Sequence, residues 1–201
     1  MDRERRIEAL TLEFGKLYGA PPTDWFRAPG RVDLMGSHTD YNDGFVATMT
    51  VDRDTWIAIR PRTDRRVRIA TLNLAGSADF SLEAIERDAA VPWTDYVRGA
   101  ARVLIDDGID IGGFDGLLHS TVPFGSGLSS SAAIESVVLL AFASVGGATI
   151  EPLDLAVLGQ RVENEFVGVA CGILDQYTSV LGTAGQALLL DCRELTSRPV
   201  G

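Results

Sequence analysis

Residues 30–44, Gly-Arg-Val-Asp-Leu-Met-Gly-Ser-His-Thr-Asp-Tyr-Asn-Asp-Gly, gather one arginine, three aspartates and one of the chain's two histidines into a short glycine-bracketed stretch. Closely spaced hydrogen-bond donors and acceptors suit a small molecule with several hydroxyls, a polyol or sugar, and the glycines let backbone approach it. Taken alone, the same composition also describes a solvated, turn-rich surface loop.

A second segment, residues 123–133, reads Pro-Phe-Gly-Ser-Gly-Leu-Ser-Ser-Ser-Ala-Ala and runs from a strand-like stretch into a helical one. At such a junction the free backbone N–H groups and the positive end of the helix dipole converge, which favours an anion. The segment has no lysine, so it is not a Walker loop, and Ser130 stands where Gly-x-Gly-x-x-Gly needs its third glycine. What remains is a glycine pair followed by Ser129, Ser130 and Ser131, three hydroxyls that could cap the helix, bind phosphate oxygen or ligate Mg²⁺. A cap alone needs one of them.

The third candidate is a pair of acids, Glu163 near the end of one helical pattern and Asp175 at the start of the next. If the chain reverses between them, both carboxylates face one cavity. One could then hold a metal bound to nucleotide while the other takes a proton from a substrate hydroxyl. Each also has a plain reading, Asp175 as an acid favoured by a helix N-terminus and Glu163 as part of a solvated face.

The elements around these segments follow from periodicity. Residues 2–18 place Ile7, Leu10, Phe14 and Leu17 at helical spacing, ended by Gly19, Pro21 and Pro22. Strands are expected at 24–28, 45–51, 55–61 and 66–71, a helix at 92–107 and a strand at 114–121. Two longer helices at 129–145 and 152–166, a short one at 174–181 and a strand at 187–192 complete the pattern, with a polar run to the end. Strands first and helices later predict an α+β fold, a mixed, mostly antiparallel sheet with helices packed on one side, without repeats or linkers.

The bulk numbers exclude several classes. With 201 residues, 46% hydrophobic, the chain can bury a sizeable core as one domain or part of one. A formal charge of -10 without a basic run argues against nucleic acid and anionic membranes as partners. The longest apolar stretch, residues 137–143, is far short of the roughly 20 residues a membrane span needs. Cys171 and Cys192 form neither a metal pattern nor a disulfide framework, and no cationic apolar leader precedes residue 20, so the expectation is a cytoplasmic protein with free thiols. Cys171 has no histidine placed to activate it as a nucleophile, and His119, on a strand between Leu118 and Ser120, reads as structural.

Taken in order, Gly-Arg-Val-Asp-Leu-Met-Gly-Ser-His-Thr-Asp-Tyr-Asn, Pro-Phe-Gly-Ser-Gly-Leu-Ser-Ser-Ser-Ala and Cys-Gly-Ile-Leu-Asp-Gln resemble the galactokinase branch of the GHMP small-molecule kinases, from about Trp25 onward. The resemblance implies a GHMP kinase N-terminal domain, ribosomal protein S5 domain 2-like, over residues 1–201, with a galactokinase signature at 26–44 and an ATP-binding loop at 123–133. It also implies transfer of the ATP γ-phosphoryl group to the anomeric hydroxyl of galactose. Asp175 would be the base and Arg31 a cation that offsets charge on the phosphoryl oxygens. Gly125, Ser126, Gly127, Leu128, Ser129, Ser130 and Ser131 would surround the phosphates, and Ser131 and Glu163 would hold Mg²⁺. Ser37, His38, Thr39, Asp40 and Gly172, with Asp175, would bind the sugar.

Two departures from the family pattern stand out. Galactokinases usually carry glutamate where this chain has Ser37, and that glutamate resembles a ligand of the sugar's C6 hydroxyl. Its loss opens the choice to a pentose such as arabinose or a C6 carboxylate such as galacturonate, since removing one anion from beside another relieves repulsion. Asp33, where the family usually has asparagine, argues the other way. The second departure is length: the family fold closes its pockets with a C-terminal half that these residues lack, so a longer chain or a partner is expected to supply it, and the truncated chain is expected to be weak or inactive alone. Two alternatives remain, a non-catalytic sugar and ATP sensor, against which the intact Ser-Ser-Ser-Ala run argues, and another GHMP kinase acting on a different alcohol, against which His38-Thr39-Asp40-Tyr41 argues.

Overall fold

The computed structural model describes residues 3–200. Helix α1, Arg3–Tyr18, buries Leu10 and Phe14, one turn apart, with Glu4 in its first turn and Lys16 in its last to complement the dipole; the expected start at Asp2 lies outside the described residues. Strand β1 spans Asp24–Met35 and pairs antiparallel with β2, Phe45–Pro61, from Asp24 opposite Ile59 to Met35 opposite Ala47.

Both strands exceed the expected segments. β1 continues through Gly30–Arg31 into what reads as loop, so only residues 36–44 remain outside the ladder. β2 runs unbroken across Asp52-Arg53-Asp54, where the ladder to β1 shifts register, because the pairings on either side of this segment hold the strand. β1 takes one edge, while β5, Phe114–Ser120, and β6, Ala187–Asp191, share the other at residues 55–61 and 45–48. Backbone pairing here overrides the polar interruption. Register shifts at Pro29/Arg31 and Asp33/Met35 bend β1 beside the arginine.

β3, Arg66–Thr71, runs parallel to β5, and β4, Ser77–Ser81, and β7, Thr196–Val200, close the sheet in the order β4-β3-β5-β2-β6-β7, with β1 against β2. β4 and β7 carry no strong strand signal. They are short edge strands, where few apolar side chains are needed and Pro199 costs no ladder bond in the sheet interior.

α2, Asp95–Asp106, α3, Ser130–Gly146, α4, Pro152–Arg161, and α5, Leu174–Leu181, gather on one face. There Ile57, Ile59, Val67, Ile69 and Leu118 meet Val97, Leu104, Val137, Val138 and Phe142. Period-two alternation turns Trp56 and Ala58 to the opposite face, which α1 covers with Leu10 and Phe14 over Leu117. The second half of β2 is thus buried on both sides, which explains its continuous apolar run. α3 is buried on nearly every side and is the central helix.

The helix expected over 152–166 is broken. α4 ends at Arg161 and the chain makes a π-helical turn, Val162–Val167, closed by Gly168 at φ 85°. The wider turn leaves Glu163 buried rather than on a solvated face. Among the described residues no helix is long and apolar enough to cross a membrane.

Candidate active site

The three chemically dense segments meet. Asp175 sits in the first turn of α5, and Arg31, 144 residues earlier on β1, reaches it: its Nε donates to Oδ1 at 2.8 Å and its Nη2 binds the same oxygen. The third guanidinium nitrogen, Nη1, donates to the Gly127 carbonyl at 2.6 Å, and the Arg31 backbone N–H donates to the Leu128 carbonyl at 3.2 Å. Ser129 Oγ donates to Asp175 Oδ2. One arginine and one serine therefore join β1, the Gly/Ser loop and the acid of α5. The pair is only partly shielded, Arg31 with 11% and Asp175 with 27% of the side chain exposed.

Residues 36–44 form a turn that opens at Gly36, passes through a single 3-10 turn, Asp40–Asn42, and ends on Asp43 in the left-handed region. Its predicted sugar ligands divide. Ser37 and His38 are exposed, with His38 Nδ1 2.8 Å from Tyr41 Oη. Thr39 Oγ1 instead donates to the Gly36 and Phe45 carbonyls at 2.8 and 2.7 Å, so its hydroxyl closes the turn. Asp40 Oδ1 accepts the backbone N–H groups of Ile173 and Leu174 at 2.9 and 3.1 Å, capping α5 from another part of the chain. Burial pushes the Asp40 carboxyl up, and those two N–H donors oppose the push. Gly172 makes the seat available: a Cβ there would lie 2.1 Å from the Asp40 carboxyl group.

Beside Glu163 the structure places a second buried acid. Glu135, one turn beyond Ser131 on the wholly buried side of α3, is completely inaccessible, and burial followed by the Glu163 charge raises its carboxyl well above the usual range. Glu135 Oε2 accepts Gln176 Nε2 at 3.0 Å, while its Oε1 has no partner among the described residues. Glu163 is buried on the π turn beside Glu135 and Cys171, and its charge adds to burial in pushing the Cys171 thiol up, which disfavours the thiolate. Among the described residues no three acidic, histidine or cysteine side chains cluster as a metal site; Glu163 and Glu135 are two neighbouring buried acids, and Mg²⁺ takes few of its oxygen ligands from protein. Glu135 and Gln176 are parts of this region that pattern reading misses. In sequence Glu135 is one polar position in an apolar helix, and its burial on every side is set by neighbouring elements.

The remaining predicted positions fall as follows. Gly125, Ser126 and Gly127 are exposed at the mouth of the loop, with Ser126 Oγ donating to the Pro123 carbonyl at 2.8 Å, and Ser130 and Ser131 open α3. Asp33 is on β1, its Oδ1 buried without a partner among the described residues. His119 lies opposite Trp56 under α1, away from α5, and burial, then the Arg6 charge, lowers its ring pKa. A hollow of about 530 Å³ lined by Tyr41, Asn164, Gly168, Ala170 and Cys171 adjoins the turn at residues 36–44. A separate cavity of about 450 Å³ on the α1 face, lined by Arg6, Arg27, Asp54 and Trp56 among others, holds none of the predicted site residues.

By comparison with known proteins, the fold belongs to a recognised class. The family model for the GHMP kinases N-terminal domain matches residues 95–183. The mevalonate kinase structure from Methanococcus jannaschii superposes with TM-score 0.71 at 22% identity, over 89% of this chain and 56% of that one, which shows the fold alone. The chain has the N-terminal fold of a GHMP kinase.

Within that class, the galactokinase galactose-binding signature matches residues 12–61. A galactokinase of Chloroflexus aggregans is 48% identical over 194 residues, 96% of this chain and 50% of the relative. The Lactococcus lactis galactokinase, solved in complex with galactose, superposes with TM-score 0.91 at 34% identity, over 97% of this chain and 51% of that one. The chain belongs to the galactokinase family and spans about half the length of the relatives it matches.

Proposed function

We propose that the protein transfers the γ-phosphoryl group of ATP to the anomeric hydroxyl of galactose. The observation that carries this reading is the convergence of Arg31, the Gly127 carbonyl and Ser129 on Asp175, at the junction of the Gly/Ser loop and the sugar-loop seat of Asp40. In this reading Asp175 Oδ2 takes the proton of the anomeric hydroxyl. The freed electron pair forms the new bond to the γ-phosphorus as the bond to the β–γ bridging oxygen breaks, and that oxygen leaves on ADP. Arg31, fixed by two backbone carbonyl contacts, offsets charge on the transferring group. Backbone N–H groups from Gly125 to Ser131 cradle the phosphates at the α3 N-terminus. Ser131 and Glu163 would hold Mg²⁺, which would neutralise charge on the phosphate oxygens when bound.

Exposed His38, with Asp40, Gly172 and Asp175, frames the sugar, and Thr39 supports the turn that presents them. Ser37 favours a second reading, a C6-variant sugar such as galacturonate or arabinose, because the exposed serine offers no charged acceptor there. Residues 1–201 act as the N-terminal domain, and a C-terminal half, in a longer chain or a partner, completes both pockets. The reaction belongs in the cytoplasm, where the free thiols Cys171 and Cys192 persist and ATP is supplied. The test is coupled ADP release with galactose, galacturonate, arabinose and no sugar, with the C-terminal half present. Galactose is expected to give the largest rise above the sugar-free rate, and no rise with any sugar sinks the reading in favour of a sugar and ATP sensor.

A further inference from the structure

Three alternate residues of the Gly/Ser loop have left-handed backbone: Gly125 at φ 68°, Gly127 at φ 74° and Ser129 at φ 54°. Glycine adopts this conformation without steric cost, whereas a residue with a Cβ is strained there. The third slot thus holds a serine where the first two hold glycine, and strain of this kind persists where the surroundings enforce it. Ser129 occupies the N-cap position of α3, yet its side chain makes no capping hydrogen bond. It is buried and donates to Asp175 Oδ2 instead.

That contact decides how the carboxylate can work. An ionised carboxylate offers about four lone-pair positions. Both on Oδ1 face Arg31, through Nε and Nη2, and one on Oδ2 is taken by Ser129. One position on Oδ2 is left. The χ2 torsion of aspartate is soft, so without Ser129 nothing on that oxygen would fix the plane of the group.

We propose that Ser129 is a positioning residue for Asp175: its hydroxyl, presented from a left-handed slot, occupies one lone pair of Oδ2 and so reserves the other for the proton of the anomeric hydroxyl. This rests on the reading of Asp175 as the base. It also links the aim of the base to the loop that cradles the phosphates, because a single residue belongs to both.

The test compares Ser129→Gly with Ser129→Ala in the protein carrying its C-terminal half. Both lose the hydroxyl, but glycine also relieves the left-handed strain that alanine keeps. Expected are kcat values lowered by about 10- to 100-fold in both, with KM for MgATP and for galactose within about threefold of the parent. The melting temperature of the glycine variant should exceed that of the alanine variant. A glycine variant with parental kcat overturns the proposal, as does a KM for MgATP raised tenfold at unchanged kcat, which would assign the hydroxyl to nucleotide binding. A parent without turnover on any sugar defeats the catalytic reading separately. Crystal structures of both variants then decide the contact itself, an Asp175 carboxylate rotated from its parental plane supporting the positioning role and an unmoved one overturning it.

Discussion

Asp54 on β2 and Asp175 on α5 both sit against arginine, yet the two carboxylates are built for different ends. Asp54 is buried and receives Arg6 on Oδ1, Arg27 on Oδ2, Trp56 Nε1 at 3.0 Å and Thr121 Oγ1 at 3.3 Å, so every lone-pair position is filled. Burial pushes its carboxyl up, but the hydrogen bonds from Arg6, Arg27 and Trp56 more than offset this and hold it below the usual range. Asp175 meets one arginine and one serine, keeps a free position and stays 27% exposed. A saturated carboxylate ties α1 to the sheet; an unsaturated one at a cleft can accept a proton. The number of donors, rather than the presence of a salt bridge, separates structure from chemistry here.

The contrast can be broken most sharply at Asp175. Asp175→Asn should lower kcat by about 10²–10⁴-fold while ATP affinity, read by isothermal titration, and melting temperature stay near parental. Equal loss of binding and turnover would mean that Asp175 is structural after all.

At Asp54 the opposite pattern is expected. Asp54→Asn should cost about 3 kcal/mol in urea unfolding at pH 7, since it leaves Arg6 buried without its counter-charge, and spare kcat of the folded fraction. The pH dependence has a definite sign. Because the folded-state pKa lies below the unfolded value of about 3.9, the Asp54 contribution is complete above roughly pH 5 and is lost as pH falls through the folded value. The variant should therefore lose less stability than the parent on acidification below about pH 4, and parallel acid limbs would contradict the assignment.

Gly172→Ala sharpens the comparison from the substrate side, because its Cβ would occupy the space of the Asp40 carboxyl group. A stability loss of about 1–3 kcal/mol and a raised KM for sugar are expected, with KM for ATP unaffected. An unchanged KM for sugar would remove Asp40 from the sugar site. Ser37→Glu is the mildest change, on an exposed position, and should alter the ratio of kcat/KM for galactose over arabinose by about tenfold toward galactose. No change in that ratio would detach Ser37 from C6.

Much of this could be read along the chain. The bounds of α5, Leu174–Leu181, follow from apolar spacing and the flanking glycines, and the Gly/Ser run at the start of α3 announces a helix N-terminus. Other features were hidden for identifiable reasons. β4 and β7 lack apolar alternation because edge strands bury little, and the π turn at Val162–Val167 has no local signature apart from Gly168 at its end. Thr39 reads like its neighbours as a sugar ligand, but its hydroxyl is engaged by the turn's own carbonyls, which only the folded path of residues 36–45 brings within reach.

The sequence by itself determined the chemical inventory, an arginine-bearing segment rich in hydrogen-bonding side chains, a Gly/Ser loop before a helix and a pair of acids, because residue type and local period are written in adjacent positions. The tertiary structure decided which of these act together. The register of β1 on β2 carries Arg31 to Asp175, the reversal after the π turn lets Asp40 cap α5, and burial on all sides of α3 turns Glu135 from a helix acid into a buried neighbour of Glu163 and Gln176. Such contacts join positions more than 100 residues apart, and their energies depend on sheet register and solvent exclusion, which no single segment encodes.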